Sequence, residues 1–216
     1  YLFITFEGIE GSGKSYQGKK LYRNLKKRKI PVIFTREPGG SSSAEKIRKL
    51  ILTGSKNKFT KTTDTLLYLA ARNEHIQKTL KPAISRKKNI ICDRFIDSTM
   101  AYQVYGKSVN KSLVNAVHKQ ILESIKPDLT VLLKVNIKKA FQRIKKRKFK
   151  NRYDKFDRNF YQRVQNAFIK IAKKNKKRYF VIDNSIDSNE TEKIISNGGI
   201  EIYTGEGKGK STSALG

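Results

Sequence analysis

Gly8-Ile9-Glu10-Gly11-Ser12-Gly13-Lys14-Ser15 is a complete Gly-x-x-x-x-Gly-Lys-Ser run. It stands between the apolar segment Leu2 to Phe6 and a lysine-rich stretch in which Leu21 and Leu25 share a helical face. A strand that ends in a glycine-rich turn and restarts as a helix aims several backbone N–H groups, and the positive end of the helix dipole, at one point where a polyphosphate fits. Gly8 through Tyr16 are therefore the expected ATP-binding residues, with Lys14 reaching the outer phosphates and Ser15 holding magnesium.

Outward from this loop the chain alternates short apolar runs with helix-period segments. Leu2 to Phe6, Pro31 to Thr35, Asn89 to Cys92, Leu129 to Val135 and Tyr179 to Ile182 read as strands buried on both faces. Between them, Ile47, Leu50 and Ile51 mark one helix, and Leu66, Leu69, Ala70 and residues on to Ile84 a longer one. Two more follow, marked by Val114, Val117, His118, Ile121 and Ile125, and by Phe160, Val164, Phe168 and Ile171. Strand and helix in turn give an α/β fold, a parallel sheet with helices on both faces. Ligands then bind beyond the carboxyl ends of the strands.

Two of the loops at that edge suit a second anion. Thr35-Arg36-Glu37-Pro38-Gly39-Gly40 follows the second strand, with a proline fixing the turn and glycines allowing close backbone approach. Asp93-Arg94-Phe95 follows the third. Asp93 suits a magnesium shell, and Arg94 a bidentate grip on phosphate.

Composition sets the class. The chain has 216 residues, 37% of them hydrophobic, enough for a substantial core. Its one cysteine, Cys92, excludes a disulfide framework and reads as a buried thiol. No apolar run approaches the roughly 18 residues of a membrane span, and no charged region precedes an apolar signal segment, so the expected address is cytoplasmic with no membrane partner. Opening on Tyr1, directly in a strand-like run, the sequence is expected to lack an initiator Met and a residue or two. Forty-eight Lys and Arg against eighteen acids give a net charge of +30. The basic runs are spread along the chain without interleaved aromatics, so nucleic acid is not expected as a partner. Solvated helix faces and a field attracting anionic substrates account for the charge, with codon bias as an equal alternative.

Further motifs bring a family resemblance. Ile90-Ile91-Cys92-Asp93-Arg94-Phe95-Ile96-Asp97-Ser98-Thr99-Met100-Ala101-Tyr102-Gln103 resembles the signature of thymidylate kinases, and Thr35 to Gly40 their Arg-Glu-Pro-Gly-Gly loop. With the Phe6 to Ser15 loop and Tyr68-Leu69-Ala70-Ala71-Arg72, the resemblance covers residues 1–196. It implies the nucleoside-monophosphate kinase form of the P-loop fold, with five parallel strands and a short basic lid. The implied reaction is transfer of the ATP γ-phosphoryl to dTMP, giving dTDP, with magnesium. The acceptor is already an anion, so alignment and charge neutralisation suffice and no catalytic histidine is called for.

The resemblance also implies roles. Arg36 and Arg94 hold the acceptor phosphate, and Lys14, Ser15 and Asp93 serve the transferring group and its magnesium. Tyr68, where relatives usually carry Phe, stacks on thymine, and Arg72 bonds its exocyclic oxygen. Ser98, Thr99 and Gln103 complete the pocket, Tyr102 fills the space of a ribose 2′-hydroxyl, and Glu10 contacts the sugar 3′-hydroxyl. Arg143 to Asp157 resembles the lid, where Arg147 and Arg152 are the candidate transition-state arginines. A homodimer through the helices flanking the third strand is implied. His118 is expected to be a packed or interface histidine and not a ligand, and His75 to lie on a helix surface. Lys134 and Lys138 depart from the family, which commonly has acidic residues there. Another nucleoside-monophosphate kinase, or a nucleotide-responsive nucleic-acid-binding protein, are the alternative readings.

Residues 197–216 fall outside this pattern. Ile200 to Tyr203 and Gly205-Glu206-Gly207-Lys208-Gly209-Lys210-Ser211-Thr212 resemble the opening strand and phosphate loop of cob(I)alamin adenosyltransferases. The run stops before the helix such a loop needs, and no activity is expected from it. Two segments follow: a thymidylate kinase-like domain over 1–196, and a linker with a truncated second phosphate loop, or a tail, over 197–216.

Overall fold

A computed structural model describes residues 1–146, 151–185 and 188–198. Arg147 and the second glycine-lysine run lie outside the described residues. Five strands, β1 (Phe3–Glu7), β2 (Val32–Arg36), β3 (Asn89–Asp93), β4 (Leu129–Lys134) and β5 (Tyr179–Asp183), form one sheet in the order β2-β3-β1-β4-β5. Every neighbouring pair is parallel. The strands end one residue or so from where the apolar runs do, because Glu7, Arg36 and Asp93 still pair in the sheet at its carboxyl edge.

The helices are α1 (Lys14–Lys27), α2 (Ser42–Leu52), α3 (Lys61–His75), α4 (Lys81–Ser85), α5 (Ile96–Thr99), α6 (Lys111–Leu122), α7 (Ile137–Lys145), α8 (Arg158–Lys174) and α9 (Ser188–Gly198). A π-helical turn, Ile76–Leu80, joins α3 to α4, and another, Met100–Gly106, continues α5. Ser41 caps α2 by accepting the Ala44 N–H, and Asp157 caps α8 by accepting that of Phe160, satisfying donors that a helix start leaves open.

The central strands carry the core. Phe3, Ile4 and Phe6 of β1, Ile90 to Cys92 of β3 and Val131 to Leu133 of β4 are buried, and α8 lays Phe160, Val164 and Phe168 against one side. The third helix departs from its expected apolar face. Leu66 is 45% exposed and Ala70 is exposed, while Asp64, Arg72 and His75 are buried with Leu69 and Ala71. The helix turns a polar stripe inward, where Asp64 pairs with Arg152 and Arg72 with Glu37.

Candidate active site

The phosphate loop is held by its neighbours. Gly13 adopts φ 93° directly before α1, and a Cβ there would sit 2.5 Å from Asn184 Nδ2, so only glycine fits. Asn184, in the loop after β5, donates to the Ser12 carbonyl at 2.7 Å and accepts from Thr191 at 2.7 Å. Arg143 on α7 donates to the Gly11 carbonyl at 3.2 Å and the Asn184 carbonyl at 3.0 Å. Lys14 folds back, its Nζ donating to Ile9 O at 2.7 Å and to Ser12 Oγ at 3.3 Å. Burial, with the Arg94 guanidinium adding to it, lowers this ammonium to about 7 against the pull of Glu10 and Asp93.

Across the loop, Ser15 Oγ donates to Asp93 Oδ2, while Asp93 Oδ1 is buried with no hydrogen-bond partner among the described residues. A hydroxyl and a carboxylate with one oxygen open suit magnesium that takes its other ligands from phosphate and water. No cluster of three or more His, Cys, Asp or Glu able to hold a metal occurs among the described residues.

Arg94 lies beside them at φ 74°, a strained backbone for a non-glycine residue. Its Nη1 donates to Gly8 O at 2.9 Å and Ser98 Oγ at 3.0 Å, and its Nη2 to Glu10 at 2.7 Å and to the Tyr102 hydroxyl at 3.2 Å. Glu7 supports that segment from β1, accepting the Phe95 N–H at 2.8 Å, the Ser98 N–H at 3.3 Å and the Ser98 hydroxyl at 2.6 Å. Burial, then the charge of Asp97, raise Glu7 to about 7.

A buried polar chain forms the far wall. Arg72 donates through Nε to Glu37 at 2.7 Å, through Nη1 to Thr99 at 2.8 Å and His118 at 2.6 Å, and through Nη2 to Phe95 O at 3.0 Å. Burial and the Arg72 charge push His118 down to about 3, so it is a neutral acceptor packed in the protein, as expected. Glu37 also meets His75 Nδ1 at 3.0 Å, and His75 Nε2 lies 2.7 Å from Thr35 Oγ1. Burial alone would raise the Glu37 carboxyl, but Arg72 and His75 outweigh it and hold it below the usual range. His75 is thus wholly buried, which corrects the expectation of a surface histidine. Its spacing of three residues from Arg72 puts both on one helix face, a signal the sequence did carry.

These groups surround a cavity of about 460 Å³. Glu10, Gly11, Gly13, Lys14, Ser15, Tyr16, Arg36, Tyr68, Arg72, Asp93, Arg94, Ser98, Thr99, Tyr102 and Gln103 line it, all of them expected from the sequence. Gly8, Ile9 and Ser12 sit behind the lining within the loop. Arg36 is exposed and paired with Glu45 at 3.0 Å. The structure adds Glu37, Pro38, Arg48, Leu52, Phe95, Arg143, Asn151 and Tyr153. Arg48 donates to Pro38 O at 2.6 Å and so ties α2 to the proline turn.

Arg152 requires a correction. Its guanidinium pairs with Asp64 on α3, only 1% of the side chain is exposed, and it does not line the cavity. The buried carboxylate draws it away from the phosphate side. Of the departures from the family, Lys134 makes an exposed pair with Asp183 at 3.3 Å, so exchange of charge at that position costs no buried contact.

The sequence profile of the thymidylate kinase family matches residues 6–195. The chain belongs to this family. A thymidylate kinase of Wolbachia pipientis wMel is 41% identical over 202 residues, covering 89% of this chain and 100% of the relative. A thymidylate kinase of Mycoplasma capricolum subsp. capricolum is 40% identical over 188 residues, 86% of this chain and 88% of the relative. The crystal structure of thymidylate kinase from Ehrlichia chaffeensis superposes with a TM-score of 0.73 at 35% identity, covering 90% of this chain and 96% of that one. The five-stranded parallel sheet and the loops at its carboxyl edge are therefore those of a thymidylate kinase fold.

Proposed function

We propose that the protein transfers the γ-phosphoryl group of ATP to dTMP, forming dTDP. The observation that supports this reading is that Lys14 and Arg94 line one and the same cavity, one at the phosphate loop and the other at the loop after β3. Two polyanions can meet end to end only where cations from both sides neutralise them.

In this assignment Lys14 turns from Ile9 O to the outer phosphates of ATP, and the backbone N–H groups at the start of α1 cradle them. Ser15 and Asp93 would hold magnesium, which would supply positive charge to neutralise the phosphates. Arg36 and Arg94 grip the acceptor phosphate, and Glu10 takes the sugar 3′-hydroxyl. Tyr68 stacks on the base, with Ser98, Thr99 and Gln103 around it, and Tyr102 fills the space a 2′-hydroxyl would need. Arg72 presents its edge to the base as one member of the Glu37 and His118 chain, which fixes its plane. Arg143, already on the Gly11 carbonyl, supplies positive charge from the α7 side. No proton need leave the acceptor, which accords with both histidines being buried in structural bonds.

A homodimer through the helices flanking β3 is part of the proposal, with Leu66 of α3 exposed as an apolar surface residue. So is a cytoplasmic address; no helix among the described residues is long and apolar enough to cross a membrane. The division at residues 196 and 197 into a kinase domain and a separate segment is kept on the same footing.

Coupled measurement of ADP formation with dTMP, dUMP, dGMP and UMP tests the function. ADP release should rise with dTMP well above the other three. Equal background hydrolysis with all four would refute it.

A further inference from the structure

We propose that the buried pair of Asp64 and Arg152 positions Tyr153 as a wall of the acceptor pocket, so that both charged residues govern dTMP binding without touching it. The proposal rests on the placement of dTMP at the Tyr68 end of the cavity.

Asp64 sits in the first turn of α3, four residues before Tyr68 and on the same face. Arg152 opens a short 3-10 turn, Arg152–Lys155, that Asn151 and Asp154 close with a capping box. Both side chains are 1% exposed. Arg152 Nη2 donates to Asp64 Oδ1, while Oδ2 accepts from Lys107 Nζ at 2.6 Å and from the Tyr153 hydroxyl at 3.0 Å. One carboxylate thus ties together three segments distant in sequence: α3, the end of the π-helical turn after α5, and the turn at residues 152–155.

What it holds is the Tyr153 ring. That ring meets Tyr68 edge-on, with centroids 6.1 Å apart, and Tyr102 likewise at 5.8 Å, and its hydroxyl accepts from Gln103 Nε2 at 3.3 Å. All three neighbours line the cavity together with Tyr153 itself. An arginine that stabilises a transferring phosphoryl group must keep N–H groups open to it. Arg152 instead faces Asp64, with its guanidinium carbon 5.8 Å from the Phe59 ring centre and 5.5 Å from that of Tyr153. Asp64→Asn leaves the buried Arg152 guanidinium without its counter-charge, and Arg152→Met leaves the Asp64 carboxylate to Lys107, so both substitutions should displace the same turn.

Steady-state kinetics with each substrate varied, on Asp64→Asn, Arg152→Met, the double variant and Tyr153→Phe, test this. Each single variant should raise KM for dTMP, by roughly ten- to a hundred-fold where the pair is broken, and leave KM for ATP within about two-fold. The double variant should be no worse than the poorer single one, since both act through one turn. A loss of kcat on Arg152→Met with both KM values unchanged, while Asp64→Asn stays near wild type, would overturn the proposal. Should the charge variants fail to fold, Arg152→Lys and Tyr153→Phe decide it: wild-type KM for dTMP in both refutes the role of the pair. An unchanged dTMP KM on Tyr68→Ala would instead show that the acceptor does not lie at that end, and the proposal falls with its placement.

Discussion

Glu7 shows how one buried side chain couples ionisation to the site. Its folded pKa of about 7 lies above the ordinary carboxylate value of 4.5 because burial, then Asp97, oppose its charge. Between those two values the folded chain holds a proton there that the unfolded chain has lost, so stability falls as pH rises from about 4.5 to about 7. Arg94, Ser98 and the Phe95 N–H favour the charged form, and Arg178 neutralises Asp97 at 2.8 Å. Glu7→Gln should therefore flatten the decline, with a ceiling of about 3 kcal/mol. Thermal midpoints of both proteins at pH 5 and pH 7.5 measure it, and an equal decline in the two would exclude Glu7 as the source. Read from sequence, the first strand ends at Phe6, and Glu7, the last residue of β1, has no role. That it accepts three bonds from the segment after β3 depends on the parallel pairing of β1 with β3.

Among the elements, those set by an unbroken apolar run or a fixed glycine spacing were legible in advance. β1, the phosphate loop and α1 appear where the Gly8 to Ser15 run puts them, and β3 with Asp93 and Arg94 likewise. α3 was not, since Leu66 and Ala70 suggested an apolar face that the structure leaves at the surface. Its inward face is chosen by pairing, Asp64 with Arg152 and Arg72 with Glu37, and pairs formed across 88 and 35 residues leave no local pattern. The same holds for Asn184, which buttresses the phosphate loop across 172 residues. Asn184→Ala leaves the Ser12 carbonyl without that donor, at a cost of about 1–3 kcal/mol where the group stays dry. KM for ATP should rise and KM for dTMP should hold; an unchanged ATP KM would show that the loop keeps its shape unaided.

At the scale of the whole molecule, the sheet order sets the site and the charge sets its approach. With β1 in the middle, flanked by β3 and β4, the phosphate loop, Asp93 and Arg94 converge at one edge. Alternation of strands and helices was enough to predict a parallel sheet with ligands at that edge. The net charge of +30 is too widely spread to mark a binding face, and if it has a role it is as a field that draws in both anionic substrates. Raising ionic strength from 0.01 M to 0.15 M shortens the screening length from about 30 Å to about 8 Å. The value of kcat/KM for ATP should fall steeply over that range while kcat changes little. A salt-independent kcat/KM would mean that the surface lysines take no part in capture.

The run of contacts from Thr35 through His75, Glu37 and Arg72 to His118 bears on any attempt to retarget the enzyme to another base. Exchanging Arg72 alone takes from the interior Glu37 its arginine counter-charge and leaves it to His75, and breaking such a buried pair costs about 3–5 kcal/mol before selectivity is even sampled. Libraries that randomise the five positions as a block, with apolar sets included, should yield folded variants of new preference where single-site scans return inactive protein.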